Sequence, residues 1–98
     1  MTTPDQPSHA SFPLGQIMAT PGCLRALEEA GEQASDFLQR HQRRDWGCVC
    51  AEDRRANDDA LIEGARLLSA YRLRNGVRIW IITEGDRSVT TLLLPNEY

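Results

Sequence analysis

The sequence predicts an α+β fold: two to three N-terminal helices packed on one face of a C-terminal three-stranded antiparallel β-meander. Three observations predict it. Residues 67–94 hold three runs rich in β-branched, aromatic and leucine residues, separated by turn signals. The stretch before them carries the start and stop chemistry of helices. The two kinds of element are segregated along the chain rather than alternating, which distinguishes α+β from α/β.

Residues 1–11 are polar, with Pro4 and Pro7, and read as a disordered tail. Residues 12–98 read as a single domain. Phe12, Leu14, Ile17 and Met18 come next. They suit either an extended arm lying across the sheet or a short strand at its edge.

Thr20-Pro21 opens the first helix, because Thr caps well and Pro at the first helical position loses nothing. Leu24 and Leu27 share a face, with Cys23 and Ala30 beside it, and Gly31 is a natural stop. Ser35 can cap a second helix from Asp36 to about Gln42, with Phe37, Leu38 and His41 on one side. Asp36 suits its positive end, and Arg40, Arg43 and Arg44 gather where cations are favourable. Asp45 to Val49 reads as a loop. A third helix runs from Ala51 to Glu63, with acidic residues in its first turn and Gly64 as its stop. Its apolar face is thin, so it is expected to pack through small residues.

The strands are expected at Leu67–Leu73, Val77–Glu84 and Ser88–Leu94. Asn75-Gly76 is the strongest short hairpin signal, suited to a two-residue type I′ turn. That turn would set Tyr71 opposite Trp80. An even-length second turn around Gly85 would then give the meander two faces. Leu68, Ala70, Arg72, Val77, Ile79, Ile81, Thr83, Thr90, Leu92 and Leu94 form the face expected beneath the helices. Ser69, Tyr71, Leu73, Arg78, Trp80, Ile82, Glu84, Val89, Thr91 and Leu93 form a mixed face. A three-residue loop at either turn would flip one strand.

The 98 residues suffice for one modest core. A net charge of −3 and a pI near 5.3 argue against a protein that coats nucleic acid broadly. All 11 basic residues are Arg. Without lysine there is no P-loop lysine, no Schiff base and no Ser-Lys pair. No apolar run approaches the ~20 residues that cross a bilayer. The first residues lack the basic head and apolar stretch of a secretory signal, so cytoplasm is the expected compartment. Three cysteines do not make a disulfide framework.

Candidate chemistry is sparse. Cys23, His41, Cys48 and Cys50 are metal-competent, but C-x-C with one isolated Cys and one His is not zinc spacing. A cysteine at 48 or 50 with His41 as base would make a nucleophile pair; a loop cysteine without a role is the simpler reading. Asp45, Asp53, Asp58, Asp59, Glu63, Glu84 and Asp86 offer carboxylates for Mg²⁺ chemistry, yet Asp58 and Asp59 diverge on a helix. Asp45, Trp46, Arg54 and Asn57 read as a structural polar network joining the third helix to the loop before it. No motif calls for a metal or a cofactor. Tyr71, Trp80 and Thr91 form a stripe on the mixed face, with Arg78, Glu84 and Arg87 near its ends. Tyr, Trp and Arg anchor interfaces. Against this, Phe12, Leu14 and Ile17 of the arm, or a homodimer mate, can cover that face.

The segments LLSAY, WIITE, DRS and LLPNEY, with Asp45-Trp46-Gly47 and Glu52 to Asn57, resemble a family of small uncharacterised bacterial proteins carried on plasmids and other mobile elements. Some members are called a type I restriction–modification methyltransferase subunit. That activity needs a doubly wound sheet with a glycine-rich turn, which this chain lacks. The resemblance therefore implies an accessory protein.

The expected function is a non-enzymatic binding or adaptor module. Its partner is expected to be a protein of a plasmid-maintenance or restriction system, bound through Tyr71, Trp80, Arg78, Glu84, Arg87 and Thr91. The alternatives are a small metal-dependent hydrolase or nuclease, and a nucleic-acid-associated regulator. No membrane partner is expected.

Overall fold

The protein is described by a computed structural model covering residues 12–98. The expected tail, residues 1–11, lies outside the described residues. The fold is α+β, with three helices and a four-stranded mixed sheet.

The chain begins with a short strand, β1 (Gln16–Ala19). The helices α1 (Pro21–Ala30), α2 (Ala34–Gln42) and α3 (Ala51–Glu63) follow, then the strands β2 (Leu67–Arg72), β3 (Arg78–Thr83) and β4 (Val89–Leu93). A 3-10 turn, Pro95–Glu97, completes it. The caps explain the helix ends. Thr20 accepts the Cys23 N–H before α1, and Gly31 closes it in the left-handed region. Gly64 does the same for α3. The start of α2 differs from expectation. Gln33, not Ser35, is its N-cap, and no side chain bonds there.

Two features of the sheet correct the sequence reading. The first is a fourth strand. Of the two placements open to residues 12–18, the chain takes the edge strand: β1 pairs parallel with β4, giving the order β1-β4-β3-β2. The sheet is therefore mixed rather than a three-stranded antiparallel meander.

The second is the register of the first hairpin. Its loop is Arg74-Asn75-Gly76, closed by the Leu73 N–H to Val77 O bond at 2.8 Å and Gly76 N–H to Leu73 O at 2.9 Å. Of the three loop residues only Gly76, at φ 89°, is left-handed. A type I′ turn would need Asn75 there as well. This is the three-residue hairpin with glycine in the left-handed position. It pairs Tyr71 with Ile79, and Ala70 with Trp80. β2 is thus flipped relative to the two-residue expectation.

The reason is burial. The flip places Leu67, Ser69, Tyr71 and Leu73 under the helices, all buried, and turns Arg72 outward. The expected register would have put the Arg72 guanidinium in the core, at far greater cost. The second turn keeps the even parity expected, with Thr83 opposite Thr90 and Ile81 opposite Leu92.

The main core lies between α1, α2 and the sheet. Cys23, Leu27 and Phe37 meet Tyr71, Leu73, Ile79, Ile81 and Leu92 there. Phe12, Trp46, Val49, Ala60, Leu67 and Ala70 form a second cluster. Among the described residues no helix is long and apolar enough to cross a membrane.

Ile81 is fully buried at the centre of β3. Ile81→Ala is expected to destabilise the fold by roughly 2–4 kcal/mol, read as a drop in the urea midpoint.

Candidate functional site

Two polar features stand out, one inside the molecule and one on its surface. Inside, His41 on α2 is fully buried, with Nδ1 2.5 Å from Ser69 Oγ and Nε2 2.9 Å from Thr83 Oγ1. Thr83 Oγ1 is 2.7 Å from Thr90 Oγ1, which donates to the Leu14 carbonyl at 2.7 Å. Proton counting fixes the direction of this file. A carbonyl only accepts, so Thr90 spends its one proton on Leu14. Thr83 must then donate to Thr90, and His41 Nε2–H to Thr83. Ser69 donates to the bare Nδ1. The imidazole is neutral, with its proton on Nε2.

The Ser69–His41 distance is that of a nucleophile and its base. Both side chains are sealed, however, and the Phe12 and Trp46 rings pack edge-on to the imidazole at 5.2 and 5.6 Å. The file is a packing element that satisfies buried polar atoms.

Burial, with the Arg87 cation as a second cause, pushes the imidazole down from 6.5 to about 4. The unfolded chain therefore takes the proton first. The stability due to neutral His41 is complete above about pH 6.5 and is lost as pH falls toward about 4. The loss is expected to reach ~3 kcal/mol. Urea melts across that window, with the His41 ring titrated by NMR, measure it.

The sequence-expected polar network separates into distinct anchors. Asp45 pairs with Arg40 at 2.8 Å and caps the Gly47 N–H. The Trp46 indole donates to Asp58, and Arg54 Nη2 to the Val49 carbonyl at 3.0 Å. Asn57 bonds to β2 rather than to the Asp45–Trp46 loop and acts as a strand in miniature. Its Nδ2 donates to Leu68 O at 2.7 Å, and its Oδ1 accepts the Leu68 N–H at 3.1 Å. Gly47, at φ 77°, bridges to Ala70, where a Cβ would collide with the Ala70 carbonyl. Together these seal the outer edge of β2. Asn57→Ala is expected to cost about 1–3 kcal/mol and to speed exchange of the Leu68 amide, read by hydrogen exchange.

The cysteines and carboxylates do not converge. Cys23 is buried, and burial raises its thiol to about 11. Cys50 caps α3 by accepting the Asp53 N–H, and Cys48 is exposed. Both His41 nitrogens are occupied by hydroxyls rather than by a thiol. Among the described residues, no three His, Cys, Asp or Glu side chains gather to hold a metal ion.

The surface feature is the sheet face opposite α1 and α2. It carries Trp80, Thr91, Arg78 and Glu84, as expected, but not Tyr71. The flip of β2 sends Tyr71 into the core, against Phe37 at 5.4 Å, with its hydroxyl on the Asp45 carbonyl. Arg72 takes a place on this face instead. Phe12 does not cover the face, since it packs on the helix side with His41 and Trp46. The residue that does reach it is Tyr98, whose ring meets Trp80 at 5.7 Å and whose hydroxyl accepts from Arg66 at 2.7 Å. Glu97 positions this segment. It accepts from the Thr20 hydroxyl and the Leu94 N–H, bonds that hold its carboxyl below the usual range.

Arg87 is spent internally. Its guanidinium donates to the Ala60, Ala65 and Glu84 carbonyls, closing the end of α3 and the β3–β4 turn. Glu84 pairs with Arg66 at 3.4 Å. Arg72 and Arg78 differ from these. They sit directly opposite each other, both exposed, and neither makes a hydrogen bond or ion pair among the described residues. Sequence reasoning missed Arg72 because of the turn length, and Tyr98 because nothing local shows which way a terminal segment folds.

No protein-family model, curated protein or solved structure matches this chain.

Proposed function

We propose that this protein is a non-enzymatic binding module that holds a protein partner on the sheet face opposite α1 and α2, at its exposed arginines and half-buried Trp80 rather than at the buried Ala70, Ile82 and Leu93 of the same face. The observation that carries this reading is the Arg72–Arg78 pair beside Trp80. Like charges directly opposite on a sheet are destabilising. Two unpaired guanidiniums of this kind suit carboxylates brought by a partner. Trp80, half-buried and backed by Tyr98, supplies the apolar anchor that interfaces use. Thr91 borders it, and the Arg66–Glu84 pair lies beyond. The partner is thus a segment carrying acidic residues next to an apolar one. By the resemblance noted above, it belongs to a plasmid-maintenance or restriction-associated system.

Single-stranded nucleic acid is the competing occupant, because Arg and aromatic side chains also stack on bases. Salt distinguishes the two. Nucleic-acid binding weakens steeply with ionic strength, while a Trp-anchored protein contact falls more gently.

Arg78→Glu and Trp80→Ala test the reading. Arg78→Glu turns a repulsive cross-strand pair into an attractive one and is expected to stabilise the fold by about 0.2–1 kcal/mol. Both variants are expected to lose at least about tenfold in recovery of a specific partner from native extract, the size of a modest interface hot spot. Thermal melts check that each variant folds. Equal recovery by parent and both variants overturns the proposal.

A further inference from the structure

We propose that β1 pairs with β1 of a second copy of this chain. The two strands run antiparallel about a two-fold axis through Met18, so that two four-stranded sheets become one continuous sheet. The strand order leaves β1 and β2 as the two edges. The edge of β2 is occupied. Asn57 takes both backbone groups of Leu68, Trp46 O accepts the Ala70 N–H at 3.1 Å, and Cys48 N–H donates to Ala70 O at 2.6 Å.

The edge of β1 is treated differently. Gln16 N–H donates to Ser88 O at 2.9 Å, and Thr20 N–H to Leu92 O at 3.0 Å. Even-numbered residues therefore face β4. By the alternation of a strand, Ile17 and Ala19 turn their N–H and C=O groups outward. Among the described residues nothing pairs with them. The strand itself, Gln-Ile-Met-Ala, has no charge, proline or bulge to discourage pairing. Its flanking apolar side chains are open, with Ile17 44% and Met18 48% exposed.

A second copy fits this edge for three reasons. The outward residues are spaced two apart, so Ile17 of one copy and Ala19 of the other exchange both backbone bonds. The two-fold axis repeats that exchange. Each such pair sets a large side chain against a small one, and the two Met18 side chains meet across the axis at the close, non-hydrogen-bonded position. An uncharged strand also meets its own copy without repulsion, and the contact is isologous, so it closes at two. Four residues per strand give an area well below the ~1,200 Å² of a stable interface, so the dimer is expected to dissociate at micromolar concentrations or above.

Sedimentation velocity of the full chain over a dilution series tests this, together with hydrogen exchange at the Ile17 and Ala19 amides. The expected result is a monomer–dimer equilibrium in which both amides gain protection as the dimer forms. Ile17→Pro removes an outward donor without touching the β1–β4 ladder, which an edge strand tolerates. Ile17→Lys places a charge on the edge by an independent route. Both are expected to weaken dimerisation at least tenfold while melting near the parent. If the proline variant unfolds, the lysine variant decides. A parent monomeric at every concentration overturns the proposal. So does a dimer that survives Ile17→Lys, or protection of both amides that does not change with concentration.

Discussion

The hydrogen-bond file from Ser69 through His41, Thr83 and Thr90 to the Leu14 carbonyl is the interaction on which the rest of the structure depends. It joins α2, β2, β3, β4 and the segment leading into β1, through side chains that are fully buried. Each hydroxyl has one proton to give, so the file has one consistent direction. Breaking it anywhere leaves a buried donor or acceptor unpaired, and that penalty exceeds the net worth of the bond lost. The file also demands a register. Ser69 must face inward beside Tyr71, which only the three-residue hairpin allows. It demands the leading segment too, since Leu14 has to lie beside Thr90 to accept its proton.

From that constraint follows the division of the surface. With Tyr71 drawn inward, the opposite face keeps Trp80 as its single large strand-borne aromatic and gains Arg72 opposite Arg78. Several of the other arginines are answered internally. Arg87 closes α3, Arg40 meets Asp45, and Arg66 meets Glu84. Arg72 and Arg78 differ in facing each other across the strands with no partner for either side chain among the described residues. A similar contrast holds at the sheet edges. One is sealed by Asn57 and the Gly47 bridge, while the other is left with outward backbone groups between exposed Ile17 and Met18. Binding on the face and pairing at the edge use different atoms, so the two can operate together.

Much of the architecture was legible before folding. Thr20-Pro21, Gly31, Ala51 and Gly64 marked helix ends because capping is a local exchange of hydrogen bonds, and all four mark those ends in the structure. The three C-terminal strands fall close to their expected bounds. The reading of Asn75-Gly76 went astray at one residue. The dipeptide suits a type I′ turn, but the loop takes in Arg74 as well. The signal was present in the sequence: a two-residue turn would have buried Arg72. The candidate surface was half legible, since Trp80, Arg78, Glu84 and Thr91 keep their face. Tyr71 exchanges with Arg72, and Arg87 is taken up by carbonyls distant in sequence.

The sequence by itself determined where α1 and α3 start and stop, that the strands follow the helices, and which chemistries a chain without lysine lacks. Those depend on neighbours a few residues apart. Tertiary structure decided the docking of β1 beside β4 and the sealing of one edge but not the other, and it settled the side of β2 that is buried, at which Arg72 had only hinted. Each is a choice between whole arrangements: the register of β2 both keeps the Arg72 guanidinium out of the core and brings Ser69 to the His41 imidazole, and those partners lie far apart in sequence.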